Sequence, residues 1–267
     1  MKILALDLDG TTLNDQNKIS KENIQAIELA KTQGVLVVVS TGRSLDMIPA
    51  CLKGLVSYVI SSNGAVIYDF STNEKIYEKT ISNELALSFI HSLPKFYFSA
   101  NIDGKMVLQK GLIGTIYQSL RQNNKTKFLK VNSIELYLKQ TNKNVECFQM
   151  YTLFKRIHKQ LLNVLSHFPS LCEANTNAPE NRYTEIFASG TNKGKALLAL
   201  VEYLKLEDVK IYCIGDGQND LELFEVADIS MAVANAHRQC KEKADVIVPT
   251  NNDNGVCFGI EHYVLEH

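Results

Sequence analysis

Two carboxylates, Asp7 and Asp9, stand in the run Asp7-Leu8-Asp9-Gly10-Thr11-Thr12, directly behind the apolar stretch Ile3-Leu4-Ala5-Leu6. Side chains alternate faces along a strand, so in extended backbone the two acids share one side, and the Asp-Gly pair bends the chain away behind them. Such a pair at the mouth of a buried strand can hold a cation, attack phosphorus or exchange a proton. The chain carries a plain Asp-Gly turn for contrast: Asp103-Gly104, between Phe98–Ile102 and Lys105–Leu108, has neither a second acid nor a threonine pair beside it. A calcium loop needs its glycine at the sixth position, and Gly10 is fourth from Asp7, which excludes that reading.

Three further groups carry chemistry. Ser40-Thr41-Gly42-Arg43 follows the apolar run Val35–Val39, where the Thr41 hydroxyl and the Gly42 amide make a phosphate cradle. The same residues also suit a simple strand-to-helix turn capped by Ser44. Thr191-Asn192-Lys193-Gly194-Lys195 opens a helix with Leu197, Leu200, Val201 and Leu204 on its apolar stripe. Lys193 sits one turn before Leu197 and so at the edge of the buried face, while Lys195 points about 200° away. A cation in the first turn opposes the helix dipole at about 0.3–1 kcal/mol, a conflict that a nearby anion removes. Gly215-Asp216-Gly217-Gln218-Asn219-Asp220 follows a third apolar strand. Capping the next helix occupies one carboxylate, Asp220, and leaves Asp216 for a cation.

These groups need a scaffold that brings strand ends together. The first third alternates strand and helix: strand over 2–9, a helix over Ser20–Lys31 with Ile24, Ile27 and Ala30 at helical spacing, then strand over Val35–Ser40. The last third repeats the habit, with strands at Val209–Ile214, Ile229–Val233 and Val246–Val248. Alternation of this kind predicts a parallel sheet covered on both faces, with ligands at the carboxyl ends of its strands. The middle reads as a separate α+β unit, with the Asp103-Gly104 hairpin, an amphipathic strand at Glu135–Leu138, a strand at Cys147–Phe154 and a helix through Ile157, Leu161, Leu162 and Leu165. Its edges near Ser82 and Ser189 mark an insertion between two halves of the sheet domain.

Composition sets the outer limits. The 267 residues are 45% hydrophobic with a formal charge of −1 and no long basic block, which argues against nucleic acid or an anionic membrane as a partner. The longest apolar runs have strand length, far short of a membrane span. Six cysteines at 51, 147, 172, 213, 240 and 257 form no Cys-x-x-Cys pair, which argues for a reduced protein. With the chain entering a strand at once and no signal-peptide pattern, a cytoplasmic location is the expectation, and Leu265-Glu266-His267 reads as a tag stump.

With Asp7-x-Asp9-Gly10-Thr11, Thr41-Gly42-Arg43, Lys193 and Gly215-Asp216-x-x-Asn219-Asp220 in this order, the chain resembles the haloacid dehalogenase-like phosphatases. More narrowly, it is similar to the Cof-type hydrolases of subclass IIB. Asn63-Gly64-Ala65, Met231–Ala236 and Thr250–Val256 fit the same family, with Ala234 standing where relatives often carry Gly. The resemblance implies a Rossmann-like doubly wound parallel sheet core over 1–82 and 189–267, with an α+β cap inserted over 83–188. It implies an Mg²⁺-dependent phosphatase acting on a small phosphomonoester, a sugar phosphate or cofactor phosphate. Asp7 would be the nucleophile that forms an aspartyl-phosphate, and Asp9 the general acid and base. Asp7, Asp216, the Asp9 carbonyl and a steadying Asp220 would make the metal site. Leu8, Thr41, Gly42, Lys193 and Asn219 would bind phosphate. Arg43, Asn63, Arg182 and Glu185, with Tyr183 beside them, are candidate substrate contacts. A phosphomutase or phosphotransferase of the same superfamily, or a non-catalytic phosphate-binding module, stands as the alternative.

Overall fold

A computed structural model describes residues 1–93, 97–110, 128–151, 155–174 and 183–266. The chain divides into two compact units, one of Met1–Arg43, Ile48–Glu78 and Asn192–His267, the other of Ser44–Met47 and Lys79–Thr191. The division falls a few residues outside Ser82 and Ser189. Ile81 exchanges two backbone hydrogen bonds with Val145, at 2.8 and 2.9 Å, and this ties the start of the insertion to the second unit.

The first unit is built on an eight-stranded sheet in the order β14-β13-β12-β1-β2-β3-β4-β5. Its strands are β1 (Lys2–Leu6), β2 (Leu36–Ser40), β3 (Tyr58–Ser61), β4 (Val66–Asp69), β5 (Lys75–Glu78), β12 (Lys210–Gly215), β13 (Ile229–Val233) and β14 (Val246–Val248). From β14 to β3 all pairs are parallel. β4 and β5 are added antiparallel at one edge, so the sheet is mixed where the sequence predicts a parallel one. Ile3, Leu4, Ala5 and Leu6 are all fully buried, which is why β1 reads as a continuous apolar run and not an alternating one. β1 lies centrally, between β2 and β12, and the strand order runs outward from it in both directions. That is the switch point at which open α/β sheets bind ligands.

Its helices are α1 (Lys21–Thr32), α5 (Lys193–Tyr203), α6 (Leu221–Val226), α7 (Arg238–Lys243) and α8 (Gly255–Gly259). Ser20 caps α1 by accepting from the Asn23 amide, and Asn192 caps α5 by accepting from the Lys195 amide at 2.7 Å. Among the described residues, no helix is long and apolar enough to cross a membrane. All six cysteines are free thiols.

The second unit has a six-stranded sheet in the order β10-β11-β9-β6-β7-β8. The strands are β6 (Phe98–Ile102), β7 (Lys105–Gln109), β8 (Leu129–Val131), β9 (Cys147–Tyr151), β10 (Leu171–Ala174) and β11 (Tyr183–Ala188), and the helices are α2 (Asn83–Ser92), α3 (Ile134–Thr141) and α4 (Lys155–Leu165). Asp103 and Gly104 join β6 to β7 with φ of +53° and +71°, the two positive values that a tight hairpin turn requires. One expectation is corrected here: Glu135–Leu138 is helical, not a strand. Ser133 caps α3, Glu135 pairs with Lys139 one turn on, and Ile134 and Leu138 are buried while Leu136 is half exposed. Four residues fit a period of two by chance; burial at i and i+4 decides for the helix. Residues 152–154 of the expected Cys147–Phe154 strand lie outside the described residues.

Candidate active site

Asp7, Thr41 and Asp216 each follow a strand of the first unit at its carboxyl end, and Lys193 opens a helix of that unit. β1 stops at Leu6, and Asp7 lies just beyond it, its amide donating to the Ile214 carbonyl at 3.0 Å. Residues 8–10 turn away at once, with Gly10 at φ +78°. The expectation that Asp7 and Asp9 share a strand face is therefore corrected. Asp7 is buried, whereas the Asp9 carboxylate is 57% exposed and faces Arg43. Leu8 has a fully buried side chain, which leaves its main chain as the part able to meet phosphate. Thr12 Oγ1 donates to the Asp7 carbonyl at 2.5 Å, and Asn235 Nδ2 donates to the Gly10 carbonyl at 2.7 Å, so the turn is tied on both sides.

Lys193 opens α5 and is fully buried. Its Nζ donates to Asp7 Oδ1 and to Asp220 Oδ1, both at 2.6 Å. These two anions meet the ammonium at the helix start and remove the dipole conflict. Asp220 is saturated further, since its Oδ2 accepts the amides of Asp216 at 3.0 Å and Gly217 at 2.9 Å. Gly215 must be glycine for this to happen: a Cβ there would stand 2.6 Å from the Asp220 carboxylate. Asp216 Oδ1 accepts from Thr11 Oγ1 at 3.0 Å. Gly10 presses against the same carboxylate, with room for no Cβ. The two threonines after Gly10, read from the sequence only as a turn, thus hold the Asp7 main chain and the Asp216 side chain. Their adjacency to the acids was the available signal.

Asp7, Asp216 and Asp220 each offer a carboxylate oxygen within 4.8 Å of the others. Burial pushes the Asp7 carboxyl well above the usual carboxylate range; Lys193 opposes this, and Asp220 and Asp216 add to it. Burial, then Asp220, raises Asp216 to about 6. Burial disfavours the Lys193 ammonium, but Asp220 and Asp7 together outweigh it and hold the group charged. Three carboxylates around one ammonium leave a net negative, oxygen-lined cluster when all are ionised. A hard divalent cation is the ion that such donors suit. Among the described residues, Oδ2 of Asp7 and Oδ2 of Asp216 carry no hydrogen bond, whereas both oxygens of Asp220 are engaged. Asp7 and Asp216 thus each have an oxygen that could meet a cation, whereas Asp220 holds Lys193 and the 215–217 loop. The Asp9 carboxylate is not part of this cluster.

Thr41 follows β2, buried, with its amide on the Ile60 carbonyl at 2.9 Å and its hydroxyl accepting the Arg43 amide at 3.3 Å. Arg43 turns its guanidinium onto Asp9, through Nε to Oδ2 at 2.8 Å and Nη2 to Oδ1 at 2.5 Å. Gly42 packs against the Asn63 amide, and Asn63 Oδ1 accepts from Asn219 Nδ2 at 2.8 Å. Asn63, read as a candidate substrate contact, therefore touches two of the phosphate-site residues. Glu185 is buried in β11 of the second unit, paired in register with Gln149. Tyr183 begins β11, and Arg182 lies outside the described residues.

A family model described as haloacid dehalogenase-like hydrolase matches residues 4–260. The chain is 30% identical, over an alignment of 285 positions, to a 5-amino-6-(5-phospho-D-ribitylamino)uracil phosphatase of Bacillus subtilis, covering 98% of this chain and 97% of that one. A solved haloacid dehalogenase-like hydrolase from B. subtilis superimposes with a TM-score of 0.81 at 26% identity, over 98% of this chain and 100% of the other. A solved structure from Thermotoga maritima gives a TM-score of 0.83, also at 26% identity, over 97% and 96% of the two chains.

Proposed function

Because the chain belongs to the haloacid dehalogenase-like hydrolases, we propose that it is an Mg²⁺-dependent phosphatase that cleaves a small cytoplasmic phosphomonoester through an aspartyl-phosphate on Asp7. The observation that carries the reading is the buried Asp7–Lys193–Asp220 chain with Asp216 beside it, set at the carboxyl end of the central strand.

In this reading Lys193 holds the Asp7 carboxyl group in place and favours its ionised form against burial, and the ionised carboxylate attacks phosphorus in line and displaces the alcohol. Asp9 gives its proton to the leaving oxygen and takes one from the water that then hydrolyses the acyl phosphate. Its exposed side chain has room to turn between Arg43 and the leaving group. Thr41, the Gly42 amide, Lys193 and Asn219 bind the phosphoryl oxygens, where negative charge concentrates during transfer. Asp7 and Asp216 would hold Mg²⁺, which when bound offsets the repulsion between an attacking carboxylate and an anionic phosphate.

The test is Mg²⁺-dependent hydrolysis of p-nitrophenyl phosphate, followed by borohydride quenching during turnover. Reduction of an aspartyl-phosphate converts that aspartate to homoserine, and mass spectrometry should place it at position 7. Turnover with no trapped residue at 7 would remove the covalent step; no Mg²⁺-dependent turnover would remove the phosphatase. The substrate panel begins with the ribityl phosphate named for the B. subtilis relative and extends to sugar phosphates and cofactor phosphates.

A further inference from the structure

The connection between β3 and β4 places three successive residues at positive φ: Ser62 at +49°, Asn63 at +54° and Gly64 at +99°. A non-glycine residue in this region carries strain that only surrounding contacts maintain. Several of these contacts lead to the phosphate-binding loops. The Ser62 amide donates to the Arg43 carbonyl and the Asn63 amide to the Thr41 carbonyl, both at 2.9 Å. The Gly64 Cα lies against the Asn192 carbonyl, one residue before Lys193, where any Cβ would collide. The Asn63 side chain, nearly buried, lies against Gly42 and accepts from Asn219 Nδ2.

Resting on the phosphatase reading, we infer that Asn63 is a positioning residue for the transferred phosphoryl group, acting through Asn219. The three groups that would surround the phosphate come from loops far apart in sequence: Thr41-Gly42 after β2, Lys193 at the start of α5, and Asn219 after β12. Residues 62–64 touch all three. The Asn63 side-chain oxygen Oδ1 accepts one N–H of the Asn219 amide, which turns the nitrogen end of that amide toward Asn63 and leaves its second N–H for another acceptor. An amide fixed before the substrate arrives binds without the entropy loss of ordering it. Asn63 also tolerates the left-handed backbone that this direction requires, as few other side chains do.

The test uses Asn63→Gly, which keeps the positive φ and removes only the amide, together with Asn219→Ala and the double variant. With p-nitrophenyl phosphate and Mg²⁺, Asn63→Gly should lower kcat/KM and weaken orthovanadate inhibition by about tenfold each, the loss of one oriented hydrogen bond. The Mg²⁺ concentration giving half-maximal activation should stay within twofold of wild type. In the Asn219→Ala background, Asn63→Gly should cost no further activity. Wild-type kinetics in Asn63→Gly, a full multiplicative loss in the double variant, or a parallel shift in the Mg²⁺ midpoint would each overturn the inference. Orthovanadate binding measured by calorimetry gives the same comparison without turnover. A wild-type protein that binds vanadate through Asn63 but hydrolyses nothing would therefore sink the phosphatase and leave the positioning role standing.

Discussion

The Arg43 guanidinium grips Asp9 with two hydrogen bonds, Nε to Oδ2 and Nη2 to Oδ1, in the fork geometry that fits a carboxylate. Asp9 is the residue assigned to move the proton, and it stands apart from the buried trio of Asp7, Asp216 and Asp220. Separate surroundings suit these two acids, two residues apart, to the separate work proposed for them. Asp7 is sealed among charges, while Asp9 is exposed beside Arg43.

If Arg43 orients Asp9, Arg43→Ala should depress turnover according to the leaving group. An alkyl phosphate, whose alkoxide needs a proton, should lose about tenfold or more in kcat, within the range of general acid catalysis. With p-nitrophenyl phosphate the loss should stay within about threefold. Equal losses on both esters would show that Arg43 serves binding and not the proton.

Asp7→Asn should abolish turnover while preserving the fold. A neutral amide cannot attack phosphorus, and the variant removes one charge from a cluster in which burial already disfavours the ionised form. Circular dichroism and a steady-state assay decide the point; retained activity would end the nucleophile assignment.

Lys193→Met should destabilise the protein by about 3–5 kcal/mol, since it strands Asp7 and Asp220 in the interior without their counter-charge. Urea denaturation at neutral pH would measure the loss. At low pH, where the stranded acids take up protons, the deficit should shrink.

The metal-free protein should lose stability as pH rises. Asp216 titrates near 6 in the folded chain against 3.8 unexposed to these neighbours, so the folded state binds its proton more tightly than the unfolded state does. The resulting stabilisation is complete below pH 3.8 and is lost as pH climbs through 6. From this group it amounts to roughly 3 kcal/mol. Thermal melts in chelator should fall across that window, and Asp216→Asn should flatten the fall. Mg²⁺, which requires the deprotonated carboxylates, should raise the melting temperature more at pH 8 than at pH 5. A melt in chelator that rises steadily from pH 4 to pH 8 would contradict the sign.

What is local along the chain could be read from it. The buried run Ile3–Leu6, the helix that follows Ser20, the hairpin at Asp103-Gly104 and the helix opening at Lys193 depend on neighbours within a few residues, and residue types report such neighbours well. Glu135–Leu138 reads as a strand because a four-residue window satisfies both periods, and only the packing around α3 determines which residues are buried. The antiparallel edge of β4 and β5 likewise depends on a neighbour strand being available.

By itself, the sequence determined which acids and amides would stand at strand ends and which cation at a helix start, and in what order. The tertiary structure decided which of them meet. Asp7 and Lys193 are separated by 186 residues and Asn63 and Asn219 by 156, yet both pairs lie within hydrogen-bond distance. Asp7 and Asp9, two residues apart, face different surroundings because β1 ends at Leu6 and the turn at Gly10 parts them. Contact across such distances follows from strand order in the sheet, and that order is an outcome of packing the whole core, with no local signature in residue type or spacing.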